Sequence, residues 1–414
     1  MFLIRLALKN LTRHKKRTII TAGVIAIAIF FYIFLDSLML GMTNESFNSI
    51  INFESGHIQI ADSRYWDKKD DLPLDNLIKD NESLAEDLKS EEKVKAVSPQ
   101  LQFGGNLNNG TDELPVTIRG VKPDNIREVF AFQDQFVEGS WFQEDEYGVV
   151  MGKELADLME LERGDYVTLL VRTKEDSFNT IEGEISGLVH TANPEVNSSV
   201  VYVPLNLAQN TLNTENEVSQ LILRLNNQNS ADMVAGEINE KFNNEKSSLS
   251  AYTWEDSAQF VVNMGKAQEA ENQIILGIIL LIAAVGIVNT VILSALERMN
   301  EIGMMKALGL KVREIVLVFS IEATGIGIIG GIVGCILGAI SVELFSIYGI
   351  DFMNMVGEEM SSFGIPVIGR IYGEWNPDAF IFVFSFSIIV SMIVSIFPSW
   401  WAARKDPVDA LYKR

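Results

Sequence analysis

Hydrophobic and polar positions follow two patterns along the chain. Four stretches, residues 18–35, 274–296, 323–342 and 379–397, are apolar and carry no charge. About 18 or more such residues in a helix match the hydrocarbon thickness of a bilayer, where a helix satisfies its own backbone polar groups. The pattern predicts transmembrane helices over 18–40, 273–296, 314–345 and 379–401, in preference to buried helices of one large soluble core. Residues 41–272 read differently. Residues 56–60, 114–121, 166–172 and 221–225 have strand character, whereas 84–94, 154–159 and 231–242 have helical spacing. Gly-Asp, Asn-Gly and Asn-Pro turns separate them. The expected fold is a membrane protein: four transmembrane α-helices with a large mixed α/β extracytoplasmic domain between helices 1 and 2, long enough to bury its own core.

Charge orients this arrangement. The 414 residues include 33 basic and 55 acidic side chains, a net charge of −22, yet 48% of residues are hydrophobic. Mean hydropathy is +0.17 and the pI is near 4.6. Such a chain is neither disordered nor suited to nucleic acid, whose phosphates need the opposite sign of charge. Residues 1–17 hold six basic side chains and no acid, and 402–414 hold four basic and two acidic. Residues 297–314 hold four basic and three acidic. By contrast, 41–272 hold 18 basic and 42 acidic, and the loop 346–378 holds one and five. Lys and Arg concentrate in cytoplasmic loops, so both termini are expected inside and the acidic domain outside. The first apolar run is too long for a typical signal peptide, and Asp36-Ser37-Leu38-Met39 offers no small-x-small cleavage site, so a retained anchor is expected. The acid-rich stretches 67–92 and 138–165 read as solvated faces.

Little in the sequence points to catalysis. There is no phosphate-cradling GxxxxGK[ST] loop, and Phe103-Gly104-Gly105-Asn106 lacks the lysine such a loop needs. A GxSxG nucleophile elbow is missing too. The single Cys335 excludes an intramolecular disulfide or a cysteine zinc site. His14, His57 and His190 are scattered; Glu54 and His57 lie three apart, but Gly56 and the strand that follows argue against a shared metal. No catalytic, cofactor or metal site is expected.

Three features remain. The connection 297–310 between spans two and three is short and helix-forming, with a glycine placed to end the helix; it reads as a simple interfacial turn or as a handle for a partner. In the third span, Gly327 and Gly331, with Gly330, Gly334 and Gly338, form a flat strip that suits ordinary intramolecular packing, a dimer seam or a moving surface. Glu322, inside the same span, must bond a neighbouring helix or reach the cytoplasmic interface, since an unpaired carboxylate there is costly. Asp36 and Glu343 fall near the outer interface, and Trp400 and Trp401 suit an inner-interface anchor.

The run Glu297-Arg-x-x-Glu301-Ile-Gly303 followed by Ala307-Leu-Gly309 resembles the coupling-helix signature of FtsX/MacB/LolC-type ABC transporter permeases. Leu8-Lys9-Asn10-Leu11-Thr12-Arg13 with Arg17-Thr18, Glu322-Ala323 before a glycine-rich span, and the terminal Pro398-Ser-Trp-Trp-Ala402 to Leu411 stretch agree in order and spacing. Within the family, the length, long outer domain and lack of a fused ATPase look most like the LolC/LolE branch. Met151-Gly152-Lys153-Glu154-Leu155-Ala156, followed by Glu162-Arg163-Gly164-Asp165, also resembles that branch.

The resemblance implies a cytoplasmic elbow at 1–17, a coupling helix at 297–313 and a cytoplasmic tail at 402–414. Glu297, Arg298, Glu301, Ile302, Gly303, Ala307, Leu308 and Gly309 would engage an ATPase. It implies a non-catalytic permease subunit of the bacterial cytoplasmic (inner) membrane, binding no cofactor itself, with ATP and Mg on a partner ATPase dimer. A second permease, identical or related, membrane lipids, lipoprotein cargo and a periplasmic carrier would be its other partners. The implied work is lipoprotein extraction; the alternatives are MacB-like efflux or peptide export and an FtsX-like signal module controlling a cell-wall enzyme.

Overall fold

A computed structural model describes residues 7, 15–79, 81–143, 147–297, 299–351 and 370–404. The elbow motif at 8–13 and the tail from 405 onward lie outside the described residues. The chain divides into two compact units, one holding Asn44–Met264 and the other Met1–Thr43, Gly265–Asp351 and Arg370–Arg414. Helix α1 runs Lys15–Ile50, well past residue 40, and a π-helical turn, Ile51–Ser55, follows it. The apolar run marks only the part of the helix free of charge; polar residues continue it, with the Thr43 hydroxyl bonded to the Met39 carbonyl one turn back.

Residues 44–264 form a mixed α/β domain on a ten-stranded sheet. Its strands are β1 (Ile58–Asp62), β2 (Val94–Asn108), β3 (Glu113–Val121), β4 (Phe136–Gly139), β5 (Gly148–Gly152), β6 (Tyr166–Arg172), β7 (Phe178–Val189), β8 (Val200–Pro204), β9 (Gln220–Leu225) and β10 (Leu249–Thr253). The order is β10-β1-β9-β2-β3-β8-β5-β7-β4, with β6 bridging β2 and β7. Strands β5 and β8 are buried at every residue, as continuous apolar runs with covered faces should be. Alternate residues then feed two cores. Val201 and Val203 of β8 join Val149 and Met151 of β5 in one cluster with Ile118, Leu101 and Phe103. Val200, Tyr202 and Val150 point into an aromatic cluster with Phe53, Phe132 and Trp141. The period of two thus makes one sheet serve two hydrophobic layers.

Two expectations change here. The helix expected over 84–94 is α2, Asn81–Lys89. A turn at 90–93 follows, and Val94 opens β2 by pairing with Leu225. The Phe103-Gly104-Gly105-Asn106 run is not a loop; it lies mid-strand in β2, pairing with β3 from Ile118 to Pro115. A side chain at Gly105 would meet the Leu170 carbonyl at 3.0 Å and Ile118 at 2.6 Å, which accounts for that glycine. The other expected helices are α3, Lys153–Leu158, and α5, Ala231–Asn244, with the short α4, Pro194–Ser199, between them. His57 is buried, and its Nδ1 accepts from the Leu225 amide at 3.0 Å rather than holding a metal.

The second unit contains α1 up to Thr43, most of α6 (Gln259–Glu297), then α7 (Met299–Ala307), α8 (Val312–Tyr348) and α9 (Pro377–Arg404). Helix α6 starts well before residue 273, because the polar segment ahead of the apolar run is also helix-forming. Among the described residues, four helices are long and apolar enough to cross a membrane. The glycines of α8 split into two seams. Gly327 and Gly331 face α9, where an added Cβ would meet Ser391 Oγ at 2.6 Å and Phe384 at 2.8 Å. Gly330, Gly334 and Gly338 face α1, with contacts to Ile25 at 2.8 Å and to Ile29 and Ile33 at 2.7 Å. Intramolecular packing therefore occupies both faces of the strip.

Two tests follow from these contacts. Gly334→Leu should lower the thermal stability of the detergent-solubilised chain by about 1–3 kcal/mol, the usual cost of overpacking, while Gly277→Ala, which meets nothing within 4 Å, should leave it unchanged. Burial, with a smaller contribution from Arg224, pushes the His57 imidazole down to about 4. The unfolded chain then binds more protons between about pH 4 and 6.5, so stability should fall as pH drops through that window. His57→Asn, which keeps an acceptor but does not titrate, should flatten this dependence in melts across the same range.

Candidate coupling site

Helix α7 is nine residues long and connects the two longest helices of its unit. Its end is set by backbone chemistry. Gly309 adopts φ +92°. The Leu310 amide bonds the Met305 carbonyl at 3.1 Å, and the Gly309 amide bonds that of Lys306 at 2.9 Å. This pair of bonds is a Schellman closure with glycine in the left-handed position, where a side chain would be strained. The next helix begins immediately: the Lys311 amide donates to Glu314 Oε2 at 2.8 Å. The connection is therefore a fixed corner.

One face of α7 is anchored. Ile302 and Gly303 are buried, and Ile302 packs with Ile315 and Phe319 of α8 and with Ala402 and Ala403 of α9, flanked by Met299, Met305 and Leu310. The opposite face is open. Met304, Ala307, Leu308 and Gly309 are exposed, Leu308 to 81% of its surface. Glu301 is half-buried between the two faces. Glu297 closes α6, and Arg298 lies outside the described residues. The predicted motif thus divides: Ile302 and Gly303 hold the corner, while Ala307, Leu308 and Gly309 form its outer tip. An exposed leucine beside a rigid turn offers a partner an apolar contact with little ordering cost.

Glu322 is buried in α8, at 6% exposure. Two residues before it, Ser320 accepts from Ser395 at 3.1 Å across the α8–α9 seam. Ser395 belongs to a stripe that the sequence reading missed: Ser387, Ser391, Ser395 and Ser399, all buried at helical i, i+4 spacing. Their spacing within an apolar run was the available signal. On α1, Asp36 Oδ2 accepts from Asn376 Nδ2 at 2.9 Å. Both line a cavity of about 330 Å³ with Tyr32, Leu276, Leu280 and Phe382. At the end of α9, Arg404 stacks 3.9 Å over the Trp400 ring.

Among the described residues, no group of three or more His, Cys, Asp or Glu side chains could hold a metal.

Comparison with known proteins agrees in both halves. Residues 18–241 match the MacB-like periplasmic core domain, and residues 273–407 match the FtsX-like permease C-terminal domain. An uncharacterized ABC transporter permease of Methanocaldococcus jannaschii is 24% identical, covering 99% of this chain and 97% of that protein. The lipoprotein-releasing system transmembrane protein LolC of Neisseria meningitidis is 22% identical, covering 96% of each. The macrolide export ATP-binding/permease protein MacB of Pasteurella multocida is 21% identical over 98% of this chain but 59% of its own length. With a family domain matched over more than half its length and a permease domain over most of the rest, the chain belongs to the FtsX/MacB/LolC-type ABC transporter permeases.

Proposed function

We propose that this chain is the transmembrane subunit through which a separate cytoplasmic ATPase dimer does work on the far side of the membrane. The carrying observation is the α7 corner, rigid on one face and apolar at its exposed tip. An ATPase gripping Ala307, Leu308 and Gly309 moves α8 and α9 together, because Ile302 ties α7 to both. Force then passes along α1 and α6, the segments that join the two units covalently. ATP and Mg stay on the partner; this chain contributes contact and leverage. The termini and α7 lie on the cytoplasmic side in this scheme, as the basic segments require. Two permease copies, identical or related, complete the assembly.

For the cargo, we favour lipoproteins extracted from the bacterial cytoplasmic membrane and passed to a periplasmic carrier. The full-length similarity to LolC supports this reading. So does the cavity beside Asp36 and Asn376, whose Tyr32, Leu276, Leu280 and Phe382 walls suit an acyl chain entering sideways between helices. A second reading, efflux of a soluble compound or peptide, draws on the MacB-like core domain match.

Leu308→Glu should abolish stimulation of the ATPase in reconstituted vesicles while leaving the melting temperature unchanged, since the side chain is exposed. Gly309→Val should weaken coupling and also cost about 1–2 kcal/mol of stability for a left-handed β-branched residue. Unaltered stimulation in both variants would remove α7 from the mechanism. Crosslinkers along 276–280 should capture acylated proteins; capture of unacylated compounds alone would favour efflux.

A further inference from the structure

The α/β domain contains a polar cavity that the transport scheme does not use. It has a volume of about 240 Å³ and is lined by Glu54, Lys69, Asp70, Arg119 and Glu195, with amide side chains between them. Arg119 is the deepest of these. It projects from β3, is 3% exposed, and its Nε has no hydrogen-bond partner. The Tyr202 hydroxyl lies beside the guanidinium. A buried guanidinium N–H without an acceptor is costly unless something accepts from it. Gln59 and Gln220, both buried, also line the cavity. The Arg119 Nε donor is therefore left for something outside the fold to accept from.

Charge narrows what those partners are. Two cations and three carboxylates line the cavity, a net charge of −1. Lys69 is already engaged: its Nζ donates to the Ser257 carbonyl at 2.9 Å and sits 4.0 Å over the Trp66 ring. Glu54 is held by Asn193, whose Nδ2 donates to its Oε2 at 3.0 Å. Glu195, on α4, reaches solvent at the cavity mouth yet feels Glu54 strongly. The Glu54 charge, and then burial, push its carboxyl up, with Arg119 pulling the other way. The region around Glu54 and Glu195 is thus short of positive charge, and Arg119 is short of an acceptor. A ligand carrying an ammonium next to an acceptor oxygen meets both needs.

We propose that this cavity binds the free amino terminus of a peptide or an amino acid, the ammonium between Glu54 and Glu195 and the adjacent carbonyl or carboxylate oxygen on Arg119. A volume of about 240 Å³ is near eight times the share of one liquid water, about 30 Å³. That is room for one or two small residues. No bond is made or broken; the site recognises and holds. The inference is independent of the cargo assigned above.

The test is titration calorimetry on the full-length chain in nanodiscs with three probes: glycyl-alanine, N-acetyl-glycyl-alanine and free alanine. Glycyl-alanine should bind saturably and the acetylated form at least tenfold more weakly, because acetylation removes the ammonium. Glu195→Gln, exposed and close in shape, should weaken glycyl-alanine at least tenfold with the melting temperature unchanged. Arg119→Met tests the acceptor side and is scored only if its melting curve remains cooperative. Alanine binding as tightly as the dipeptide would identify a free amino acid as ligand; dipeptide preference would identify a peptide end. No heat with either amine-bearing probe, or equal affinity for the acetylated probe, would overturn the proposal.

Discussion

Helices in lipid gain nothing from one another by excluding water, so their association rests on how closely their backbones approach. In this protein that constraint falls on α8. Two of its glycines admit the serine face of α9 and three admit the isoleucine ridge of α1, all at distances where a Cβ would collide. The α7 corner follows from this clamp. Ile302 of α7 can lock onto Ile315, Phe319, Ala402 and Ala403 only because α8 and α9 are already held together. The corner then presents Leu308 outward on a fixed base. A looser α8 would leave the connection a tether, unable to pass on a push.

The α/β domain uses the opposite physics. There water exclusion is available, and the sheet spends its alternation on two separate hydrophobic layers, aliphatic on one side and aromatic on the other. Polar residues caught between such layers must find partners. His57 does so through the Leu225 amide. Arg119 keeps one donor, its Nε, without an acceptor beside a polar cavity. The two units thus differ in what they can offer: leverage in one, recognition in the other.

Much of this was legible in the chain. Four charge-free runs announced the helices, because length and apolarity suffice for that. Their ends were less legible: α1 continues to Ile50 and α6 starts at Gln259, since polar residues extend a helix as readily as apolar ones. Strands β1, β3, β6 and β9 were visible from alternation and β-branching. Strand β2 was hidden by Pro99 and the Gly104-Gly105 pair, which read as punctuation; only pairing with β3, β6 and β9 shows why they fit. The coupling motif was found as a string, but its division into an anchored face and an open tip depends on tertiary contacts. Arg119 was invisible as a site residue, because an arginine in a strand carries no mark of lacking a partner. Glu54, set aside as a metal ligand, belongs to that cavity instead.

The proposed grip of an ATPase on the exposed tip of α7 is open to direct test. A photo-crosslinking amino acid at position 308, activated in living cells, tests it most directly. A grip at the tip gives one dominant protein adduct containing an ATP-binding protein, lost when the crosslinker is moved to the anchored position 302. Adducts with lipid alone, or equal protein capture from both positions, would contradict it.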